Sequence, residues 1–164
     1  DQRILDLCAA PGSKTALLVN LLRRGGPNNA LSWAAQVGDG GGGGGCVVAN
    51  DADASRCRQM RLRLGPLRAT CLLLTCHVAQ SYPGDDCSFD RVLCDVPCSG
   101  DGTMRKNPTV WARWRPAGGR AMHALQLSIL ARGLELVRVG GLLLYSTCSF
   151  NPIENEAKKA LTLS

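Results

Sequence analysis

Histidine is scarce in this 164-residue sequence, which contains only His77 and His123. No Cys-x-x-Cys pair occurs either, so the residue sets typical of zinc sites and of thioredoxin-like redox motifs are missing. The nine cysteines are an odd number without a repeating framework, which argues against a disulfide-stapled secreted domain. The sequence therefore predicts reduced thiols, no bound metal and an intracellular location.

Long apolar runs and triphosphate-binding motifs are also lacking. No segment approaches the length of a membrane span and no signal-peptide pattern is present, so no membrane partner is predicted. Gly12-Ser13-Lys14-Thr15 superficially resembles a phosphate loop, but no glycine directly precedes its lysine. No Gly-x-Gly-x-x-Gly follows the first apolar run. These absences favour a nucleotide-like ligand without a triphosphate.

Apolar runs alternate with helical stretches along the chain, which predicts an α/β fold with a mostly parallel sheet and helices on both faces. At this length the chain, residues 1–164, is at most one domain. We predict five strands, the first of them central between the second and the fourth, beginning near Ile4, Cys46, Cys71, Val92 and Leu142. The predicted helices are Ala16–Arg24, Ala54–Leu64 and Ala121–Val137. Residues 25–45 end in six consecutive glycines and are predicted to be a disordered loop.

Three predicted strands end in reactive side chains. Asp51 ends the second strand, Asp95 and Cys98 follow the fourth, and Cys148 follows the fifth. Because parallel strands joined by right-handed crossovers end at one sheet edge, we expect these groups to meet there. A small buried residue is the simpler interpretation of Cys98 alone, but the second thiol favours a functional pair. Asp51 either binds ribose hydroxyls or caps the helix that follows.

The charge distribution favours an RNA partner. The net charge is +6, and basic residues alternate with aromatic ones between Arg105 and Arg115. That pattern suits a surface that follows a nucleic-acid backbone and stacks its bases, and an equally weighted alternative is a loop anchored over the core by Trp111. The arginines of the second helix are interpreted as a solvated face: Arg56, Arg58, Arg61 and Arg63.

Two motifs concern helix starts. Asn151-Pro152-Ile153-Glu154 predicts an N-cap, a proline at the first helical position and a capping-box acid. Cys148 would then lie just before a helix, a setting that favours a thiolate. Gly118 and Gly119 weaken the predicted start of the third helix.

Four motifs in matching order and spacing resemble those of the Sun/nucleolar-protein family of RNA cytosine-5 methyltransferases. They are Leu7–Thr15, Asn50–Asp53, Cys94–Gly100 and Tyr145–Ser149. The variants Asp101–Asn107 and Asn151–Glu154 are most similar to the eukaryotic tRNA branch. The resemblance extends from Ile4 to about Ala157, outside the glycine loop. It implies a Rossmann-like S-adenosylmethionine-dependent methyltransferase core, incomplete at both ends, that acts on RNA, expected to be tRNA, in the nucleus, the nucleolus or the cytoplasm.

The resemblance also implies roles for individual residues. S-adenosylmethionine would lie against the turn formed by Cys8, Ala9, Ala10, Pro11, Gly12, Ser13 and Lys14, with Asp51 at its ribose. Cys148 matches the nucleophile, and Cys98 matches the second cysteine, which assists release of the methylated product. Asp95 matches the acid that engages cytosine N3 and also lies beside the cofactor, and Lys14 matches a motif lysine near the site.

The family chemistry explains why thiols and an acid are needed. Carbon 5 of cytosine is too weak a nucleophile to attack a sulfonium methyl, and a thiolate added at carbon 6 makes it enamine-like. A proton supplied at N3 assists the addition, a base later removes the proton on carbon 5, and elimination regenerates the thiolate. Asp95 must be protonated or share a proton for this, and burial beside apolar strand residues would help.

One departure from the family supports a different hypothesis. Val78 stands where the family has an acid that contacts the adenine of the cofactor. With the absent ends and the glycine tract, it favours a catalytically inactive truncated copy, at most a weak RNA-binding module. A redox protein using Cys98 and Cys148 is disfavoured, because no Cys-x-x-Cys is present.

Overall fold

The computed structural model describes residues 2–24 and 45–157, so the predicted disordered loop, residues 25–45, lies outside the described residues except for Gly45. The strands are β1 (Arg3–Asp6), β2 (Cys46–Asn50), β3 (Leu72–Thr75), β4 (Phe89–Asp95) and β5 (Val137–Ser146). The helices are α1 (Ser13–Arg24), α2 (Ala54–Leu64), α3 (Thr109–Arg113) and α4 (Pro116–Leu136).

The five strands form one sheet in the order β3-β2-β1-β4-β5, and every neighbouring pair is parallel. The predicted central position of β1, between β2 and β4, is confirmed. The chain leaves β1 toward β2 and leaves β4 toward β5, in opposite directions along the sheet. Such a reversal of strand order opens a crevice at the C-terminal strand ends, where open α/β sheets bind ligands.

The helices lie on both faces of the sheet, because successive side chains of a strand point to opposite faces and pack against different helices. Val47 packs against α1 through Val19, whereas its neighbour Val48 packs against α4 through Ile129. Helix α2 lies on the α1 side, where it contacts Ala49. The strands are thus buried from two sides, as their near-continuous apolar sequences indicate. The predicted Rossmann-like arrangement is confirmed.

The observed element bounds differ most from the predicted ones around β5. Helix α4 begins at Pro116, five residues before the predicted start, and β5 begins at Val137 instead of Leu142. The Gly140–Gly141 pair lies inside β5, where the β4–β5 register is irregular: Phe89 pairs with Val137, but Arg91 pairs with Leu142. The two glycines therefore form a bulge that the partner strand tolerates.

Close packing requires a glycine at position 119, although glycine is a weak helix former. A Cβ atom at this position would overlap the Asn151 side-chain amide and lie 3.1 Å from Glu154 Oε2. Only a glycine lets α4 approach the segment after β5 so closely.

The motif after β5 is confirmed in part. Asn151 Oδ1 accepts a hydrogen bond from the Ile153 backbone N–H at 3.0 Å, as a cap does. The following Pro152–Glu154 segment is a 3₁₀ turn, so the α-helix start predicted there, and the thiolate-favouring setting inferred from it for Cys148, are not observed.

Candidate active site

The C-terminal edge of the sheet brings together the residues that the sequence predicted. Asp95 and Ser146 end β4 and β5 and face each other in the parallel register. Lys14, in the first turn of α1, reaches the same place, and Cys98 and Cys148 follow in the two loops beyond. The predicted cluster of one carboxylate and two thiols therefore forms.

The two thiols form a close pair. Cys98 Sγ and Cys148 Sγ lie 3.1 Å apart, and the Cys148 backbone N–H donates to Cys98 Sγ at 3.3 Å. Burial raises the pKa of Cys98 to about 12, and the neighbouring Cys148 sulfur adds to that rise. Cys148 is exposed whereas Cys98 is half-buried, so a substrate approaching from solvent reaches Cys148 first. The simpler interpretation of Cys98, as an ordinary buried residue, does not fit this pairing.

Glu154 holds the two cysteine loops together. Its buried carboxylate accepts hydrogen bonds from the Ser99 backbone N–H (2.8 Å), Ser99 Oγ (2.5 Å), Ser149 Oγ (2.7 Å) and Gln126 Nε2 (2.9 Å). Burial alone would raise the pKa of Glu154, but these hydrogen bonds outweigh burial and lower it. The predicted capping-box acid therefore links the residue after Cys98 to the residue after Cys148.

Asp95 is held in an ion pair. Lys14 Nζ lies 2.5 Å from Asp95 Oδ2, and Ser146 Oγ donates to Asp95 Oδ1 at 2.7 Å. The Asp95 side chain is 31% exposed, so it is only partly buried beside the apolar residues of β4. The cation beside Asp95 comes from α1, far away in the sequence.

The predicted cofactor turn is compact and lined by small residues. The backbone N–H of Ala9 donates to Asn50 O at 2.7 Å, which ties the turn to β2, and that of Gly12 donates back to Ala9 O at 2.7 Å. Gly12 has φ +95°, and a Cβ there would press on Leu64 at 3.1 Å. Burial, followed by the charge of Asp51, raises the pKa of Cys8 to about 12, so this thiol is neutral.

Asp51 lies against the same turn. Its buried carboxylate accepts from the Ala10 N–H at 3.3 Å and the Asp53 N–H at 3.0 Å. Asp53 is the N-cap of α2, which removes the alternative that Asp51 caps this helix. Arg56 was interpreted as part of a solvated face, but its Nη2 donates to Ala10 O at 2.8 Å and lies 3.4 Å from Asp51 Oδ2.

Two polar residues at the strand ends were missed by sequence reasoning. Asp6 is buried: its Oδ2 accepts from Thr15 Oγ1 at 2.7 Å, and its Oδ1 has no hydrogen-bond partner among the described residues. Burial raises the pKa of Asp6 to about 6, opposed by the Thr15 hydrogen bond. Buried Asn50 donates to Leu7 O and His77 O, which joins the ends of three neighbouring segments. An acid ending an apolar run, as at Asp51 and Asp95, was the available signal for Asp6.

The basic and aromatic stretch is anchored by a different residue than expected. Trp114 Nε1 donates to Ser99 Oγ at 3.2 Å, next to the cysteine pair. Trp111, the anchor in one of the two alternatives, is 70% exposed. The loop is thus fixed at Trp114, and Trp111 remains accessible.

Within residues 2–24 and 45–157, no group of three or more His, Cys, Asp or Glu side chains is arranged to hold a metal ion. None of the helices in these ranges has the length and apolar character needed to cross a membrane.

Sequence comparison identifies relatives of the whole chain. A multisite-specific tRNA:(cytosine-C(5))-methyltransferase of Saccharomyces cerevisiae is 47% identical over 171 residues, covering 98% of this chain and 23% of the relative. A tRNA (cytosine(34)-C(5))-methyltransferase of Drosophila melanogaster is 44% identical over 165 residues, covering 94% of this chain and 21% of the relative. The chain thus spans under a quarter of the length of these relatives.

Structural comparison agrees with the sequence. The crystal structure of NSun6 from Pyrococcus horikoshii with SFG superimposes with a TM-score of 0.77 and 25% identity, covering 99% of this chain and 37% of that one. The family described as 16S rRNA methyltransferase RsmB/F matches residues 40–164. The resemblance inferred from four motifs is therefore confirmed, and the chain belongs to the RsmB/F methyltransferase family.

Proposed function

We propose that this chain forms the catalytic core of an S-adenosylmethionine-dependent RNA cytosine-5 methyltransferase that acts on tRNA. The observation that carries the proposal is the exposed Cys148 thiol, 3.1 Å from a second thiol and at the same sheet edge as the Lys14–Asp95 pair. The curated relatives are named as tRNA cytosine-C5 methyltransferases. The nine cysteines, all described and all free, support an intracellular site of action, nuclear or cytoplasmic.

The end of β1 fits the cofactor. S-adenosylmethionine carries a cationic amino group and ribose hydroxyls, and buried Asp6 and Asp51 offer carboxylate oxygens on either side of a turn of small residues. An oxygen of Asp6 is buried without a hydrogen-bond partner in the described structure, as expected of an acceptor reserved for a ligand. When bound, S-adenosylmethionine supplies the methyl group. Asp6, Asp51 and residues 8–14 would hold it.

Cys148 and the Lys14–Asp95 pair would share the first step. The Cys148 thiolate forms a bond from Sγ to carbon 6 of cytosine, the C5–C6 double bond shifts to C4–C5, and N3 takes a proton that the Lys14 ammonium group passes on through the Asp95 carboxylate. Lys14, whose Nζ lies 2.5 Å from Asp95 Oδ2, is left as a neutral amine, and Asp95 is again a carboxylate. Carbon 5 is now nucleophilic enough to accept the methyl group.

Cys98 would act after methyl transfer. Its raised pKa, caused by burial, keeps it a neutral thiol near pH 7, so it is a hydrogen-bond donor and not a competing nucleophile. Once a base has removed the proton on carbon 5, the Sγ–C6 bond breaks and the electron pair returns to Cys148. The Cys98 thiol, 3.1 Å away, stabilises the departing sulfur.

Alanine variants of the two cysteines test this assignment. With tRNA and S-adenosylmethionine, Cys148→Ala is expected to lose both turnover and the covalent RNA adduct. Cys98→Ala is expected to lose turnover but to accumulate an adduct that survives denaturing electrophoresis. Cys87→Ala, which changes an exposed thiol outside the pair, serves as the control and is expected to behave as the parent chain. The opposite pattern, with the adduct lost in Cys98→Ala and kept in Cys148→Ala, would reverse the two roles.

A catalytically inactive copy that binds RNA weakly is the second candidate. It is favoured by Val78, a 46% exposed apolar residue at the position of the family's adenine-contacting acid. Calorimetric titration with S-adenosylmethionine separates the two. Heat of binding supports the enzyme, and its absence at millimolar cofactor supports the inactive copy.

A further inference from the structure

A second feature lies beside the cysteine pair and has no part in the proposed mechanism. It is a cavity of about 550 Å³ lined by Asp101, Gly102, Met104, Arg105, Lys106, Trp111, Trp114 and Phe150. Its volume lies within the range of roughly 300–1,000 Å³ that is typical of small-molecule sites. We name it the aromatic-basic cavity.

The cavity is joined to the loop that carries Cys148. The Gly102 backbone N–H donates to Cys148 O at 3.0 Å, and the Phe150 N–H donates to Asp101 Oδ1 at 2.9 Å. Phe150 is only two residues from Cys148 in the sequence. A group held in this cavity is therefore next to a cytosine attached at Cys148.

Two exposed aromatic side chains line the cavity. Phe150 is 82% exposed and Trp111 is 70% exposed, so both rings are accessible to a ligand in the cavity. Trp114, which also lines the cavity, is held in place because it donates its indole N–H to Ser99 Oγ. Fixed and accessible aromatic faces are suited to stack flat ring systems.

The charged residues of the cavity distinguish between possible ligands. Arg105 and Lys106 form no ion pair with any residue in the described ranges, so both cations are available to an anion. Asp101 is an acid on the same wall, and its Oδ1 is engaged by the backbone N–H groups of Gly102 and Phe150. Aromatic faces for a ring, cations for a phosphate and one acceptor for an amino or hydroxyl group together match a nucleotide.

We propose that the aromatic-basic cavity binds the unpaired nucleotide adjacent to the target cytosine in the RNA chain, with its base stacked on Trp111 and Phe150. Its phosphate is neutralised by Arg105 and Lys106. This inference rests on the proposed function, because the cytosine at Cys148 determines which nucleotide arrives at the cavity. Neighbouring bases would then be recognised by stacking, which is tolerant of base identity, and the flanking nucleotides must be unpaired.

The test uses the full chain and a five-nucleotide single-stranded RNA with a central cytosine. One neighbour of the cytosine is replaced by fluorescent 2-aminopurine or by an abasic nucleotide, on the 5′ side and the 3′ side in separate oligonucleotides. Stacking quenches 2-aminopurine, and we expect quenching on one side only. The abasic nucleotide on that side is expected to weaken binding by roughly 5- to 150-fold, the effect of losing one stacked base.

Variants of the two aromatic residues test the same stacking contact from the protein side. Trp111→Ala and Phe150→Ala are each expected to weaken binding of the unmodified RNA by a similar factor and to make the abasic replacement nearly neutral. Phe150→Tyr should restore stacking, whereas Phe150→Leu, which stays apolar, should not. Leu62→Ala and Val139→Ala change exposed apolar side chains that do not line the cavity and are expected to bind as the parent chain does.

Charge variants test the phosphate contact. Arg105→Gln and Lys106→Gln are each expected to reduce the slope of log affinity against log salt by about one. Arg58→Gln, on α2, is the control.

The outcomes separate this proposal from the proposed function. If the covalent adduct forms at Cys148 but 2-aminopurine is unquenched and the aromatic variants bind normally, the cavity proposal is wrong and the enzyme assignment stands. If abasic replacements have no effect while Trp111→Ala still reduces turnover, the cavity accommodates something other than a flanking base. If the parent chain binds neither cofactor nor RNA, both proposals fail.

Discussion

We infer from the motif resemblance that Val78 stands where the family carries an acid for the adenine of the cofactor. It follows β3, directly before the 3₁₀ turn Ala79–Ser81, and is 46% exposed, so a polar replacement is sterically allowed. We expect Val78→Asp to tighten S-adenosylmethionine binding. One hydrogen bond to an otherwise unpaired donor is worth about 1–3 kcal/mol, or roughly 5- to 150-fold in Kd.

Calorimetric titration measures the effect, and Val139→Asp, on an exposed residue of β5, is the matched control. An unchanged Kd in Val78→Asp would remove the argument that Val78 weakens the cofactor site.

Asp6 makes the stability of the folded state depend on pH. Its pKa is raised to about 6 by burial, from about 3.9 in an unfolded chain, so the folded state binds more protons between these values. The contribution of Asp6 to the free energy of unfolding is therefore fully present below about pH 4. It falls as the pH rises toward 6 and stays constant at higher pH. Relative to Asp6→Asn, the free energy of unfolding of the parent chain is expected to fall by roughly 1–3 kcal/mol from pH 4 to pH 7.

Urea unfolding at a series of pH values measures this difference. Asp85→Asn changes a solvent-exposed carboxylate and is expected to give a constant difference over the same range. A pH-independent difference for Asp6→Asn would mean that burial of this group carries no penalty.

At the scale of elements, two adjacent glycines in α4 have opposite roles. A Cβ at Gly118 meets nothing within 4 Å, whereas a Cβ at Gly119 overlaps the Asn151 amide. Gly118→Ala is expected to stabilise the protein by up to about 1 kcal/mol, because alanine is the better helix former. Gly119→Ala is expected to destabilise it by about 1–3 kcal/mol through overpacking.

Chemical denaturation of the two variants provides the comparison, since they carry the same substitution one residue apart. If both stabilise α4, the contact between this helix and the segment after β5 is looser than the structure indicates.

At the scale of the whole molecule, residues 2–24 and 45–157 cover one face of the sheet unevenly. Helix α1 packs on β1 and β2, while an apolar groove of about 390 Å³ lies between α1 and β5. Leu142 and Leu144 line it at 62% and 63% exposure, and Leu21 borders it from α1. Contiguous exposed leucines bind apolar dyes and promote association.

We therefore expect the chain to bind 8-anilinonaphthalene-1-sulfonate in the native state. The double variant Leu142→Gln/Leu144→Gln should bind much less of the dye. Val139→Gln, which removes the most exposed apolar side chain of β5 but does not line the groove, should bind as the parent chain does. Equal fluorescence in all three proteins would mean that the groove is closed in solution.

The central position of β1 and the sheet edge at which the reactive residues lie could be predicted from the sequence. Apolar runs identify strands because burial on both faces requires them, and right-handed crossovers determine which strand ends meet. Asp95, Cys98 and Cys148 follow from those two rules with no knowledge of packing. The element bounds were less accurate, because proline is well suited to the first turn of a helix, as at Pro116, and because a bulge accommodates glycines inside a strand, as at Gly140–Gly141.

By itself, then, the sequence determined the parallel sheet with a central β1 and the meeting of the two thiols with Asp95 at its edge. Only the tertiary structure decided that Lys14 pairs with Asp95, that Trp114 rather than Trp111 anchors its loop, and that Glu154 bridges the two cysteine loops. Ser99 and Glu154 are 55 residues apart, and a hydrogen bond between them depends on how α4 and both loops pack. Periodicity reports which face of an element is buried, whereas the partner of a buried polar group is set by packing across the fold.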